Sequence, residues 1–175
     1  FKATILGLKV SNGNAPGGGA GILNKGDMTV RDCIIANNTT TNGGGGIANK
    51  ATLLMTGCTI RDNGVDDFAG GGLWNLADER TTTATLINCT FTGNSTITNT
   101  NQTGGAIDNS AITFPATVNL VNCTFVNNTA GGNLSAGGLY SGKFGTDDAI
   151  INIKNTIVSG NSSPQVIEDA GGKIL

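Results

Sequence analysis

Two short patterns alternate down the chain, and this alternation constrains the fold more than any other feature. The first is a glycine cluster, an aliphatic residue and, usually, an asparagine two positions on. It centres on Ile22/Asn24, Ile47/Asn49, Leu73/Asn75, Ile107/Asn109 and Leu139/Ser141, with a partial copy at Gly171-Gly172-Lys173-Ile174. The second is an apolar alternation, a small residue, an aliphatic or Phe, and Asn three positions later. Its copies start at Cys33, Cys58, Cys89, Cys123 and Thr156, and a weaker one starts at Leu8. Successive cysteines lie 25, 31 and 34 residues apart; Leu8 lies 25 before the first and Thr156 lies 33 after the last. Self-similarity at such a period is the mark of a solenoid, in which no unit buries its apolar face alone.

The chemistry of the repeat decides which solenoid. Gly, Asn and Thr are poor helix formers, and 28 of the 175 residues are Gly. Period-two runs such as Met28-Thr29-Val30, Val118-Asn119-Leu120 and Ile151-Asn152-Ile153 read as strands. The period is too long for the hexapeptide solenoid, and the Gly-Asp calcium nonapeptide is absent. The expectation is an all-β, right-handed parallel β-helix of about 5–6 coils of 25–34 residues, forming a single domain over 1–175. Coils begin near 17, 43, 70, 104, 137 and 171. Ile22, Ile47, Leu73, Ile107 and Leu139 form one inner ladder; Val10, Ile35, Ile60, Phe91, Phe125 and Val158 form another. Asn at a fixed turn position bonds to its copies and takes the left-handed backbone. Segments 64–69, 76–84, 95–103, 129–136 and 142–148 are outer turns of variable length.

Gly104-Gly105-Ala106-Ile107 and Phe91-Thr92-Gly93-Asn94, with Phe125-Val126-Asn127-Asn128, resemble the paired Gly-Gly-Ala-aliphatic and Phe-x-x-Asn signatures of polymorphic outer membrane protein repeats. The chain is also similar to the right-handed β-helix repeats of large bacterial and archaeal surface proteins. This resemblance implies a pectate-lyase-like β-helix serving as an adhesin-like or structural passenger at a cell surface. Most copies carry Ile or Val in place of Phe, and no outer-membrane barrel segment follows.

Composition narrows the function. A net charge of −2 and a pI near 4.8 leave no basic footprint for nucleic acid. No apolar run reaches the roughly 20 residues of a membrane span. The chain starts at Phe1, which reads as an extracellular or cell-surface piece whose export signal has been removed. It contains no His, which excludes Ser-His-Asp and Cys-His chemistry and the usual zinc sites. The enzyme alternative is a polysaccharide lyase or glycosidase. Its charged candidates are Arg61, Asp62, Asp66, Asp67, Asp78, Glu79 and Arg80, and these form no strip along a face. No catalytic residue is therefore assigned.

Asp66-Asp67 and Asp147-Asp148 pair hard oxygen ligands in Gly-bearing loops, which makes calcium the one cofactor to consider; ordinary turn chemistry explains them equally. Asn101 and Asn133 are the glycosylation candidates, whereas Asn88 and Asn122 read as inaccessible turn-ladder residues. The four cysteines share one repeat position and read as free, semi-buried thiols, with Cys33–Cys58 or Cys89–Cys123 disulfides as the alternative. Trp74 and Tyr140 share an outward slot from which aromatics could stack on sugars.

The first residues read as the second half of a coil and the last as the first half of one. Such ends fit either a fragment of a longer solenoid or whole subunits that stack, and the expectation is the second: a non-catalytic structural subunit that stacks on itself head to tail into a filament. The alternative is an adhesin-type passenger that binds glycans or host and cell-surface proteins.

Overall fold

The computed structural model describes residues 2–97, 103–132, 134–162, 164–169 and 171–175. Each of the first five coils passes through four short strands in turn, the next through three among the described residues, and each strand pairs in parallel with its equivalent one coil away. The first sheet stacks Lys2–Leu6, Asp27–Arg31, Thr52–Thr56, Thr82–Ile87, Ala116–Val121, Ala149–Lys154 and Lys173–Ile174. The second stacks Lys9–Ser11, Ile34–Ala36, Thr59–Arg61, Thr90–Thr92, Thr124–Val126 and Ile157–Ser159. The third stacks five two-residue strands from Asn14–Ala15 to Thr129–Ala130. The fourth stacks Ile22–Asn24, Ile47–Asn49, Leu73–Ala77, Ile107–Ala111, Leu139–Lys143 and Val166–Asp169. In the first sheet, Thr52, Thr83, Thr117 and Ile150 share one row, so coil lengths of 31, 34 and 33 residues follow the spacing of the repeat.

Both inner ladders form in the anticipated register. Ile22, Ile47, Leu73, Ile107 and Leu139 stack in the fourth sheet. Val10, Ile35, Ile60, Phe91, Phe125 and Val158 stack in the second. The two phenyl rings are stacked with centroids 4.9 Å apart. With the inward residues of the first sheet they make one continuous core running the length of the helix.

The polar turn chemistry is shared between neighbouring residues, whereas the repeat alone suggested one Asn for both tasks. Asn38, Asn63, Asn94, Asn128 and Asn161 form a ladder in which each Nδ2 donates to the next Oδ1 at 2.8–2.9 Å. The left-handed backbone belongs to the residue before each of them: Asn37, Asp62, Gly93, Asn127 and Gly160. A second left-handed column, Gly7, Asp32, Gly57, Asn88, Asn122 and Asn155, turns the chain between the first and second sheets. Both columns use only Gly, Asn and Asp, the residues that enter this region most easily. A second amide ladder, Asn24, Asn49, Asn75 and Asn109, runs inside the fourth sheet with Nδ2 to Oδ1 distances of 2.7–2.8 Å.

Cys33, Cys58, Cys89 and Cys123 follow the second left-handed column, and all four are buried free thiols. Their Sγ atoms donate to backbone carbonyls, as Cys58 does to Val30 at 3.5 Å and Cys123 to Leu86 at 3.4 Å. Hydrogen bonding to Cys123 and Cys58, with burial, holds the Cys89 thiol far above its ordinary range.

Two sequence readings need correction. The outer segments 64–69, 95–103 and 129–136 begin with third-sheet strands Gly64–Val65, Ser95–Thr96 and Thr129–Ala130 rather than with free turns. More consequentially, Gly171-Gly172-Lys173-Ile174 is not a glycine-motif copy that opens a coil near 171. Lys173 and Ile174 pair with Ile150 and Ile151 in the first sheet, and the fourth-sheet partner of Leu139 is Val166. The described chain therefore starts and ends in the same sheet, so its two ends overlap in phase and do not complement each other.

Two predictions test this scaffold. Asn94→Ala removes the amide that links Asn63 to Asn128 inside the buried ladder and is expected to cost about 2–3 kcal/mol in chemical denaturation, while Asn127→Gly, at a left-handed site, stays within about 0.5 kcal/mol. Four thiols that are silent to a thiol reagent in the folded state and fully titrated in denaturant are expected; a deficit in denaturant would reveal disulfides.

Candidate functional site

The outward face of the fourth sheet differs from the others because loops cover it. Its central outward column reads Leu23, Ala48, Trp74, Asp108, Tyr140 and Ile167. Trp74 and Tyr140 do share this slot, but they are not an exposed sugar platform. Tyr140 is fully buried and Trp74 is half-buried. Residues from three coils wall the column: Phe68 before the Leu73 strand, Ile112 after the Ile107 strand and Phe144 after the Leu139 strand. Together with Asn42, Ala69, Leu76 and Ser110 they enclose a recess of about 220 Å³.

Local glycines make the recess possible. A Cβ on Gly43 would lie 2.4 Å from the Trp74 ring, so the indole packs directly on backbone. Lys50 Nζ sits 5.9 Å from the Trp74 ring centroid and donates to Asp78 Oδ2 at 2.8 Å. Among the described residues, Trp74 Nε1 has no hydrogen-bond partner, although it is buried.

Asp108 dominates the chemistry. It is 1% exposed in the wall of the recess, and among the described residues no ion pair includes it. Burial pushes its carboxyl up to about 7, against smaller opposing effects of hydrogen bonds from the Ser110 hydroxyl and the Gly104 backbone. Tyr140, in the same row one strand away, donates its hydroxyl to Asp169 Oδ2 at 3.0 Å. Burial first, then the nearby Asp108 and Asp169 carboxyls, raises the Tyr140 phenol.

The residues singled out from sequence lie elsewhere. Arg61 pairs with Asp62, its own neighbour, and Glu79 and Arg80 are exposed. Asp66 is exposed and Asp67 half-buried in the turn leading to Phe68. Asp148 accepts from Lys173 Nζ at 3.0 Å on one oxygen and from Lys143 Nζ at 3.3 Å on the other. Lys173 above all, then Lys143, holds the Asp148 carboxyl below its usual range. Both of its oxygens face ammonium groups, the reverse of a calcium environment. Among the described residues no three His, Cys, Asp or Glu side chains converge as a metal site. Asn101 and Asn133 lie outside the described residues. Asn88 and Asn122 are exposed left-handed turn residues, not inaccessible ladder members, because the column that buries its amides is another one.

Comparison with protein families matches residues 2–168 to the right handed beta helix region. The chain belongs to this right-handed β-helix family. The match spans every complete coil and gives the solenoid its right hand, the sense expected from the resemblance to β-helical surface repeats. Comparisons with curated proteins and with solved structures returned no match.

Asp108 sets a pH dependence with a definite sign. Its folded value near 7 lies above the roughly 3.9 of an unfolded Asp, so the folded state binds the proton more tightly. This contribution to stability is full below pH ~4, is lost as pH rises from about 4 to 7, and is flat above, for a total on the order of 4 kcal/mol. Asp108→Asn is expected to abolish that fall and to be the more stable protein at pH 8, as read from thermal unfolding across pH.

Proposed function

We propose that this β-helix is a non-catalytic structural protein of the cell surface or extracellular space, extended by end-to-end stacking of copies. Both end faces support this reading, because each leaves apolar ladder residues with a neighbour on one side only. Leu8 and Val10 at the first coil, and Val158, Val166 and Ile174 at the last, are partly or fully exposed where their inner copies are buried. A second copy set on the last coil in the running register brings Ile22 over Val166, Val10 over Val158 and Lys25 over Asp169. The ladders and one charge pair then continue across the junction.

Phase adds a condition. Lys173 lies in the row that starts with Lys2, so Lys173–Leu175 must leave the first sheet before Lys2–Leu6 of the incoming copy can take its place. The adhesin-type reading is favoured by one separate observation, the walled recess on the fourth sheet, and a stacked rod can carry both roles.

Sedimentation at rising concentration is expected to show species of growing mass, seen as rods of variable length in electron micrographs. Deleting residues 171–175 should speed assembly, and Val10→Lys at the opposite end should block it. A single species of 17.6 kDa at every concentration, with and without residues 171–175, would count against stacking.

A further inference from the structure

Asp108 is a buried acid with no cationic side chain paired to it among the described residues, set in a wall of apolar and aromatic groups contributed by several coils. A solenoid has no structural need for a carboxyl there, since the same column accepts Leu23, Ala48 and Ile167. The missing partner is a positive charge, and the walls specify its type. Phe68, Trp74 and Phe144 line one recess, and aromatic faces attract cations through the ring quadrupole.

We propose that this recess binds a quaternary ammonium group, with its methyls against Phe68, Trp74 and Phe144 and its charge neutralised by Asp108.

Size and lining favour such a head group over a sugar chain. About 220 Å³ falls below the roughly 300 Å³ at which pockets for larger ligands begin. The polar lining is Asn42, Asp108 and Ser110, and the Ser110 hydroxyl already donates to Asp108. Sugar hydroxyls would find few partners there, whereas a quaternary ammonium needs none. A divalent metal is disfavoured for the opposite reason, because it requires about six oxygen ligands and finds one carboxyl. A primary ammonium would surrender strong hydration that the apolar walls do not replace.

The site also links binding to protons. Burial holds the Asp108 proton up to about pH 7, so a bound cation that favours the carboxylate displaces that proton in mildly acidic solution. The other charged or titratable groups on or next to the adjoining strands are Tyr140, with Asp169 bonded to it, Lys143, paired with Asp148, and Lys50, paired with Asp78. Lys50 lies near the Trp74 ring but does not line the recess.

Trp74 is the chain's single tryptophan, which gives a direct optical readout. The experiment titrates the whole chain with choline and with 3,3-dimethylbutanol, its uncharged isostere, following Trp74 fluorescence at pH 8 and pH 5. Choline is expected to bind at least ~10-fold tighter than the isostere at pH 8, with the preference shrinking at pH 5. Asp108→Asn should bring the two ligands to equal affinity, and Phe144→Ala, at an exposed wall position, should weaken both without changing the circular dichroism. Competition against choline by phosphatidylcholine vesicles would identify a lipid as the carrier of the group, and competition by a trimethyl-lysine peptide a protein. Either result supports the site. Equal binding of choline and isostere at pH 8, or no saturable response from the folded chain, overturns the proposal whether or not the rods assemble.

Discussion

Hydrogen bonding between consecutive coils, one layer every ~4.8 Å, forces equivalent residues of every coil into columns. A side chain in such a column must tolerate copies of itself directly above and below. Aliphatic and phenyl groups do so by packing, as the Phe91–Phe125 stack shows. Primary amides do so because each is both donor and acceptor, so Asn63 can satisfy Asn38 on one side and Asn94 on the other. Ionised carboxylates cannot, since like charges would repel at that distance. The low charge content of the chain, 13%, follows from this condition as much as from its setting.

The columns explain why so much of the fold was legible in the sequence. A cysteine recurring at one repeat position predicts a stack, and Cys33, Cys58, Cys89 and Cys123 form one. Coil lengths could be read directly from those spacings, because an insertion lengthens one corner without disturbing the register elsewhere. Two features were not recoverable that way. The division of labour between Asn127 and Asn128 depends on backbone dihedrals that identical side chains do not report. The final Gly-Gly-Lys-Ile has the letters of one motif and the pairing of another strand, and only its register against Ile150 and Ile151, with the Leu175 backbone bonded to Ile151 and Ile153, decides its place.

The recess was hidden for a related reason. Its walls come from segments that do not repeat, so Phe68, Ile112 and Phe144 carry no periodic signal. Its outward column holds Leu23, Ala48, Trp74, Asp108 and Tyr140 at equivalent positions. That variety was the available clue. An exposed column in a solenoid drifts toward small polar residues, whereas this one holds two of the larger aromatic groups, which requires something to cover them. Phenylalanines in the flanking insertions of two coils supply part of that cover.

Asp108 connects the scaffold to the site energetically. Its ionised form is disfavoured in the fold by an amount comparable with a large fraction of a small domain's stability, and only a well-packed structure can carry that burden. The paired ladders on the opposite side of the same strands provide it: Ile107 and Asn109 flank Asp108 in sequence and point inward, each locked between coils. The carboxyl is therefore held in an apolar place by a backbone that cannot relax to release it. A protein that needed only a rod would be more stable with an aliphatic residue at this point, as in its first and last coils. Keeping a strained acid beside three aromatic side chains makes physical sense when a positive charge arrives to relieve it, and the rigidity of the column keeps the recess in shape before that charge binds.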